Sequence, residues 1–285
     1  MPNPQHNELS ALISLIDEPN TEMFEHIRDK ILYYGNEAIP LLENAWDSSF
    51  NNTIQDRIAE IIHIIQQEKL KTELNNWIQN NPDDLLRGFL LATKYQYPDI
   101  DEQKTRGKIE EIRKNIWLEL NEDLTALEKV KVINHIVYDV FGFNGNKSNI
   151  DTPQNLFLND LLETRKGNHL SLGILLIILS QNLEIPVFGI DLPQHFILAY
   201  TEGKPESDVL FYVNPFNKGA VFTRKEIDIF LKHLKLKPEK KHFRPCDNIT
   251  IIKRLFSSLL IAYNKMGYND KVEELNKLVE VFNQP

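Results

Sequence analysis

With 285 residues, 42% of them hydrophobic, the chain carries enough apolar surface for two or three packed units. Its formal charge of −9 argues against a general polyanion binder, because a nucleic-acid surface normally needs a basic field. The single cysteine, Cys246, excludes an internal disulfide and a thiolate metal cluster, so neither a metal nor a cofactor is expected.

The opening MPNPQHNELS lacks a basic stretch followed by an apolar one, so no secretory signal is expected. Residues 7–80 show helical periodicity: Ile58, Ile61, Ile62 and Ile65 share a face, with Asp56, Arg57, Glu60 and Gln67 mostly turned away. Asp17-Glu18-Pro19 and Trp46-Asp47 begin similar patterns about 30 residues apart, as in degenerate HEAT-type helical repeats or an ordinary helical hairpin. Asn81-Pro82-Asp83-Asp84 is a helix start, with an early proline and acids at the positive end of the helix dipole. Amphipathic segments 101–120 and 124–141 follow, the second terminated by Gly142 and Gly145.

Residues 147–160 read as loop, with a short helix over 155–163. Gly167-Asn168 stops one element and offers Asn168 as N-cap of the next, whose residues 170–179 are apolar on every face. Such a helix belongs at the centre of a fold. Its longest apolar run, 172–179, is far short of the roughly 20 residues of a membrane span, so no membrane contact and a cytoplasmic location are expected. Three strands rich in β-branched and aromatic residues follow, over 187–190, 196–200 and 209–213, and are expected to pair as an antiparallel meander. A helix over 223–234, a basic stretch over 232–244 and two helices, 247–266 and 269–282, complete the chain. The joint at Gly267 makes that last pair antiparallel. The expected fold class is α+β, with parts 1–80, 81–235 and 236–285.

Residues 85–222 resemble the SirB-type branch of the transglutaminase-like superfamily. The resemblance rests on Leu90-Leu91-Ala92 with Tyr97-Pro98-Asp99-Ile100-Asp101, Phe141-Gly142-Phe143-Asn144-Gly145-Asn146, and Asn155-Leu156-Phe157-Leu158-Asn159. It continues in Arg165-Lys166-Gly167, Leu170-Ser171-Leu172, Ile185-Pro186-Val187, Leu192-Pro193-Gln194-His195-Phe196 and Asn214-Pro215-Phe216-Asn217-Lys218-Gly219. It implies a papain-like core, in which a central buried helix packs on a small antiparallel sheet. Arg254-Leu255, Tyr263 and Gly267-Tyr268 are similar to the start of a tetratricopeptide-like helical pair.

Active members of that superfamily place cysteine at the start of the central helix, histidine on a following strand and aspartate on the next. The helix N-terminus lowers the thiol pKa, the imidazole takes the proton and the carboxylate fixes the imidazole's tautomer. Carried onto this chain, the three positions fall on His169, His195 and Asn214. Sulfur and carboxylate are both absent.

His195 reads either as a base or as a structural imidazole. His169 lies in a first helical turn, where the dipole disfavours protonation, and reads as a polar lining residue. Ser171 is the better nucleophile chemically. Asn214 would orient the His195 ring in such a set without stabilising imidazolium by charge, and a hydroxyl inside an apolar helix usually bonds a carbonyl one turn earlier. Cys246, near a helix start that would depress a thiol pKa, otherwise reads as a small buried hydrophobe. His169 and His195 lack a third ligand at metal-binding spacing, and His63 and His135 are scattered on helices. The basic stretch reads as a solvated connector.

The expected function is binding of a protein or peptide at a cleft inherited from an acyl-transfer enzyme, without nucleic acid. The alternative is a hydrolase or acyltransferase using Ser171, His195 and Asn214. A third reading is an adaptor acting through its terminal helices alone. Nothing in the sequence sets the oligomeric state.

Overall fold

The computed structural model describes residues 4–150 and 152–283, and the chain divides into two compact units, 1–75 and 76–285. The first is helical throughout. It contains α1 (Pro4–Ile13), α2 (Thr21–Tyr33), α3 (Ile39–Ser48) and most of α4 (Asn52–Asn80), which continues past residue 75. Asn20 caps α2 by accepting a hydrogen bond from the Met23 N–H. Ile31, Leu42, Ile58 and Ile61 are fully buried in this unit's core, each contributing about 1.5–3 kcal/mol by leaving water. Arg57 is not turned away: its guanidinium donates to the Ile16 and Glu18 carbonyls and lies 4.0 Å from the Phe24 ring centre. Its fork satisfies carbonyls that would otherwise lack partners, which outweighs the solvation an amphipathic pattern assigns it.

The second unit has an α+β fold. α5 (Leu85–Lys94), α6 (Glu102–Glu119) and α7 (Ala126–Asn134) are capped by Asp84, Asp101 and a Thr125–Glu128 capping box. The helix begun by α7 ends in a π-helical turn, His135–Val140, before Phe141 and Gly142. β1 (Asn144–Gly145) and β2 (Lys166–Gly167) form a two-residue parallel pair, with α8 (Leu158–Thr164) between them in sequence. α9 (His169–Gln181) follows, and residues 170–180 are all buried.

The sheet has four strands rather than three. β3 (Val187–Leu192), β4 (His195–Thr201), β5 (Val209–Asn214) and β6 (Ala220–Phe222) form an antiparallel meander in that order. Lys218 and Gly219 both take positive φ in the turn that starts β6. That turn is held from a distance: the Tyr138 hydroxyl donates to the Pro215 carbonyl (2.6 Å) and the Asn134 amide to the Gly219 carbonyl (2.9 Å).

α9 packs on β3 and β4, and α10 (Arg224–His233) adds to the core formed by Ile190, Leu192, Ile197 and Tyr212, through Ile227 and Leu231. Close approach of α9 to the sheet depends on Gly173. A Cβ there would stand 2.7 Å from Phe196 Cδ1. α11 (Asn248–Met266) and α12 (Asn269–Glu280) form an antiparallel pair, α11 packing also on α5 and β3.

Candidate functional site

The start of α9 and the β3–β4 hairpin meet at one corner of the second unit. Asn168 caps the helix as its sequence position predicts: Oδ1 accepts from the N–H groups of Leu170 (2.9 Å) and Ser171 (3.0 Å). Ser171 closes the capping box by accepting the Asn168 N–H at 3.1 Å. Its hydroxyl is fully buried and does both things at once: it accepts the capping-box bond and donates to the Asn168 carbonyl one turn earlier at 3.5 Å, the back-bond expected of a hydroxyl in an apolar helix. Among the described residues no hydrogen bond joins Ser171 to His195.

His169 occupies the first turn of α9, partly exposed, and His195 opens β4 after the turn at Pro193-Gln194, where Gln194 takes φ +63°. Their rings meet edge to face at 5.5 Å between centres, and Phe230 of α10 stands 4.9 Å from His195. The fold therefore brings these two sequence-selected residues together as a pair of imidazoles.

Arg254 of α11 completes this corner. Its guanidinium donates to the Leu192 carbonyl (2.8 Å) and pairs with the Asp191 carboxylate, clamping the end of β3 that leads into the His195 turn. Burial pushes the His169 pKa down to about 4, reinforced by His195 and by the positive charge of Arg254. Burial and Arg254 also lower that of His195. Both shifts favour the neutral ring. The sequence offered Arg254 only as a helical-pair residue; its role depends on a partner hairpin far away in the chain.

Asn214 ends β5 and caps the turn Pro215–Asn217, its Oδ1 accepting from the Phe216 (3.0 Å) and Asn217 (3.2 Å) N–H groups. The structure thus joins His169 to His195 and leaves Ser171 and Asn214 bonded elsewhere. Of the two readings of Cys246, the inert one fits: its helix-start position does not activate it. The thiol donates to the Gly189 carbonyl (3.3 Å), and burial with nearby Asp191 and Asp247 pushes its pKa up to about 12. Among the described residues no group of three or more His, Cys, Asp or Glu is placed to hold a metal ion, and no helix is long and apolar enough to cross a membrane.

A cleft of about 700 Å³ is lined by Asp191, Pro193 and Arg254 together with residues of the 236–250 segment, including Cys246 and the buried His242. Neither His169 nor His195 is among its lining residues. The clamp that holds the hairpin is therefore shared with the cleft, while the ring pair lies beside it.

Residues 103–257 match the family model described as the transglutaminase-like superfamily. Among curated proteins the chain is 28% identical to a UPF0162 protein of Vibrio cholerae, over 63% of this chain and 66% of that one. It is 27% identical to a UPF0162 protein of Xylella fastidiosa over half of each chain. It is also 24% identical to mouse F-box only protein 21, covering 60% of this chain and 32% of that protein. The chain therefore spans about half the length of the Xylella relative it matches. No solved structure matches it significantly.

Proposed function

The chain belongs to the transglutaminase-like superfamily, and from that premise we propose that it is a non-catalytic member that binds a protein or peptide beside the His169–His195 corner. The observation that carries this reading is the content of that corner: two neutral imidazoles stand where a thiolate and its base are needed. A neutral imidazole is a poor substitute, because its acyl adducts hydrolyse readily and its nucleophilicity is modest. Ser171 and Asn214, the substitutes available for nucleophile and orienting group, each spend their side-chain oxygen on a cap. The adjoining cleft, clamped through Arg254, supplies a surface that no longer serves chemistry. The finer placement belongs to the same reading: a SirB-type protein of the cytoplasm, with HEAT-like helices in 1–80 and a tetratricopeptide-like pair in 236–285.

Two measurements test it. Folded protein treated with a fluorophosphonate and with a panel of amides and esters is expected to show no label on Ser171 and no turnover. Ser171→Ala is expected to cost about 1–2 kcal/mol of stability through the lost capping box, read by urea denaturation. Turnover abolished in His195→Ala would establish the hydrolase instead. In the second, a random peptide library is selected on the purified protein. Among the enriched peptides a class that loses affinity in His195→Ala is expected; a pool in which no peptide responds to that change removes the site.

A further inference from the structure

The fourth strand leaves part of the sheet edge uncovered. β6 pairs only with Tyr212, Val213 and Asn214, after which the chain enters α10. Residues 209–211 therefore have β4 on one side and no strand on the other. Among the described residues, no backbone hydrogen bond from a turn or loop reaches them. Such an edge templates pairing with another chain, and proteins normally blunt it with a covering loop, a proline or a bulge; here the register with β4 shifts between Tyr200 and Thr201, leaving Leu210 as an extra residue that bends the strand without covering its free side.

Here the basic segment after α10 stands off from the edge instead of covering it. A groove of about 720 Å³ results, lined by residues 207–212 and by Arg224, Pro238, Lys240, Phe243 and Arg244 among others. It is preformed. The Tyr212 hydroxyl donates to the Phe243 carbonyl (3.1 Å), and the Arg224 guanidinium lies 4.0 Å from the Phe243 ring centre, fixing the segment to the sheet. Little ordering is left for a ligand to impose.

The groove is positive on an acidic molecule. Arg224, Lys240 and Arg244 face only Asp208 and Glu239 among its lining residues, and the Glu239 carboxylate is already paired with Lys241 at 2.9 Å. Against a chain charge of −9 this local excess steers an acidic partner to this place and disfavours a basic one. Leu210, 49% exposed, adds an apolar side chain on the strand itself.

We infer that this groove binds an extended acidic peptide, which adds as a strand along residues 209–211 of β5 and sets its carboxylates against Arg224, Lys240 and Arg244. Main-chain pairing supplies affinity, and alternate side chains supply the preference for acid. The site is separate from the imidazole corner and does not depend on it.

The test uses the full chain and a fluorescein-labelled octapeptide of alternating Glu and Val, followed by anisotropy. Saturable binding is expected. It should weaken about tenfold or more in a Lys240→Glu, Arg244→Glu double variant, and likewise when Lys replaces Glu in the peptide. N-methylation of alternate peptide nitrogens, which leaves the protein untouched, should weaken it by a similar factor, and hydrogen exchange over 209–211 should slow on binding. His195→Ala should bind normally, separating this groove from the corner. Absence of saturable binding, an unaffected double variant, or full affinity of the N-methylated peptide each overturns the inference.

Discussion

His169 is a half-buried, neutral base whose folded-state pKa, about 4, lies well below the ordinary 6.5. Between those values the unfolded chain binds more protons than the folded one, so stability is complete near neutrality and declines as pH falls from about 6.5 towards 4. The decline from this group alone amounts to as much as about 3 kcal/mol. His169→Gln should flatten it, measured as the difference in urea midpoint between pH 7.5 and 4.5; an unchanged pH dependence in that variant contradicts the burial argument. The same residue shows how far sequence reasoning reaches. Asn168 as cap was legible from its position before an apolar run, whereas the sequence left open whether the rings of 169 and 195 converge. The clamp was not legible, because Arg254 owes its role to a carbonyl and a carboxylate that only the folded hairpin presents.

The helix at the centre was the most readable element, since apolar side chains on all faces leave a soluble protein no other place to put it. Its packing rests on Gly173. Replacing that glycine with alanine improves helix propensity by about 1 kcal/mol, yet the new methyl stands 2.7 Å from the Phe196 ring, and overpacking costs about 1–3 kcal/mol. Gly173→Ala is expected to lower stability by about 1 kcal/mol in urea, and Phe196→Leu to accept the methyl at reduced further cost. A Gly173→Ala protein more stable than the parent would mean that ring and helix separate easily. The elements that were missed share a cause. β6 has three residues, and β1 and β2 have two each, too few to show alternation, and they exist because remote partners pair with them. The π-helical turn is of the same kind: the Phe141 N–H reaches the Ile136 carbonyl at 2.9 Å, and no local pattern in 135–140 announces that widened spacing.

Each of the two units has its own buried apolar cluster, around Ile61 in one and around α9 in the other. Cavity-forming changes in such clusters cost about 2–5 kcal/mol. Ile61→Ala is therefore expected to accelerate amide exchange chiefly in α2 and α3, and Leu175→Ala chiefly in α9 and the strands, both followed by mass spectrometry. Equal acceleration everywhere from either change would mean that the chain opens as one cooperative body. The α+β class and its helical flanks were legible at this scale because long periodic segments declare themselves, whereas the groove beside β5 depends on a connector whose charge was visible but whose path was not. The half-buried Cys246 thiol has a practical consequence for following that groove in solution. With burial and two carboxylates pushing its pKa up to about 12 and no second sulfhydryl in the sequence, the native chain is expected to react slowly with maleimide, which labelling of the parent protein checks. A cysteine introduced at the exposed Asp208, in the groove lining but not among the cations that face the peptide, would take a fluorophore or spin label preferentially, turning strand capture into a spectroscopic signal.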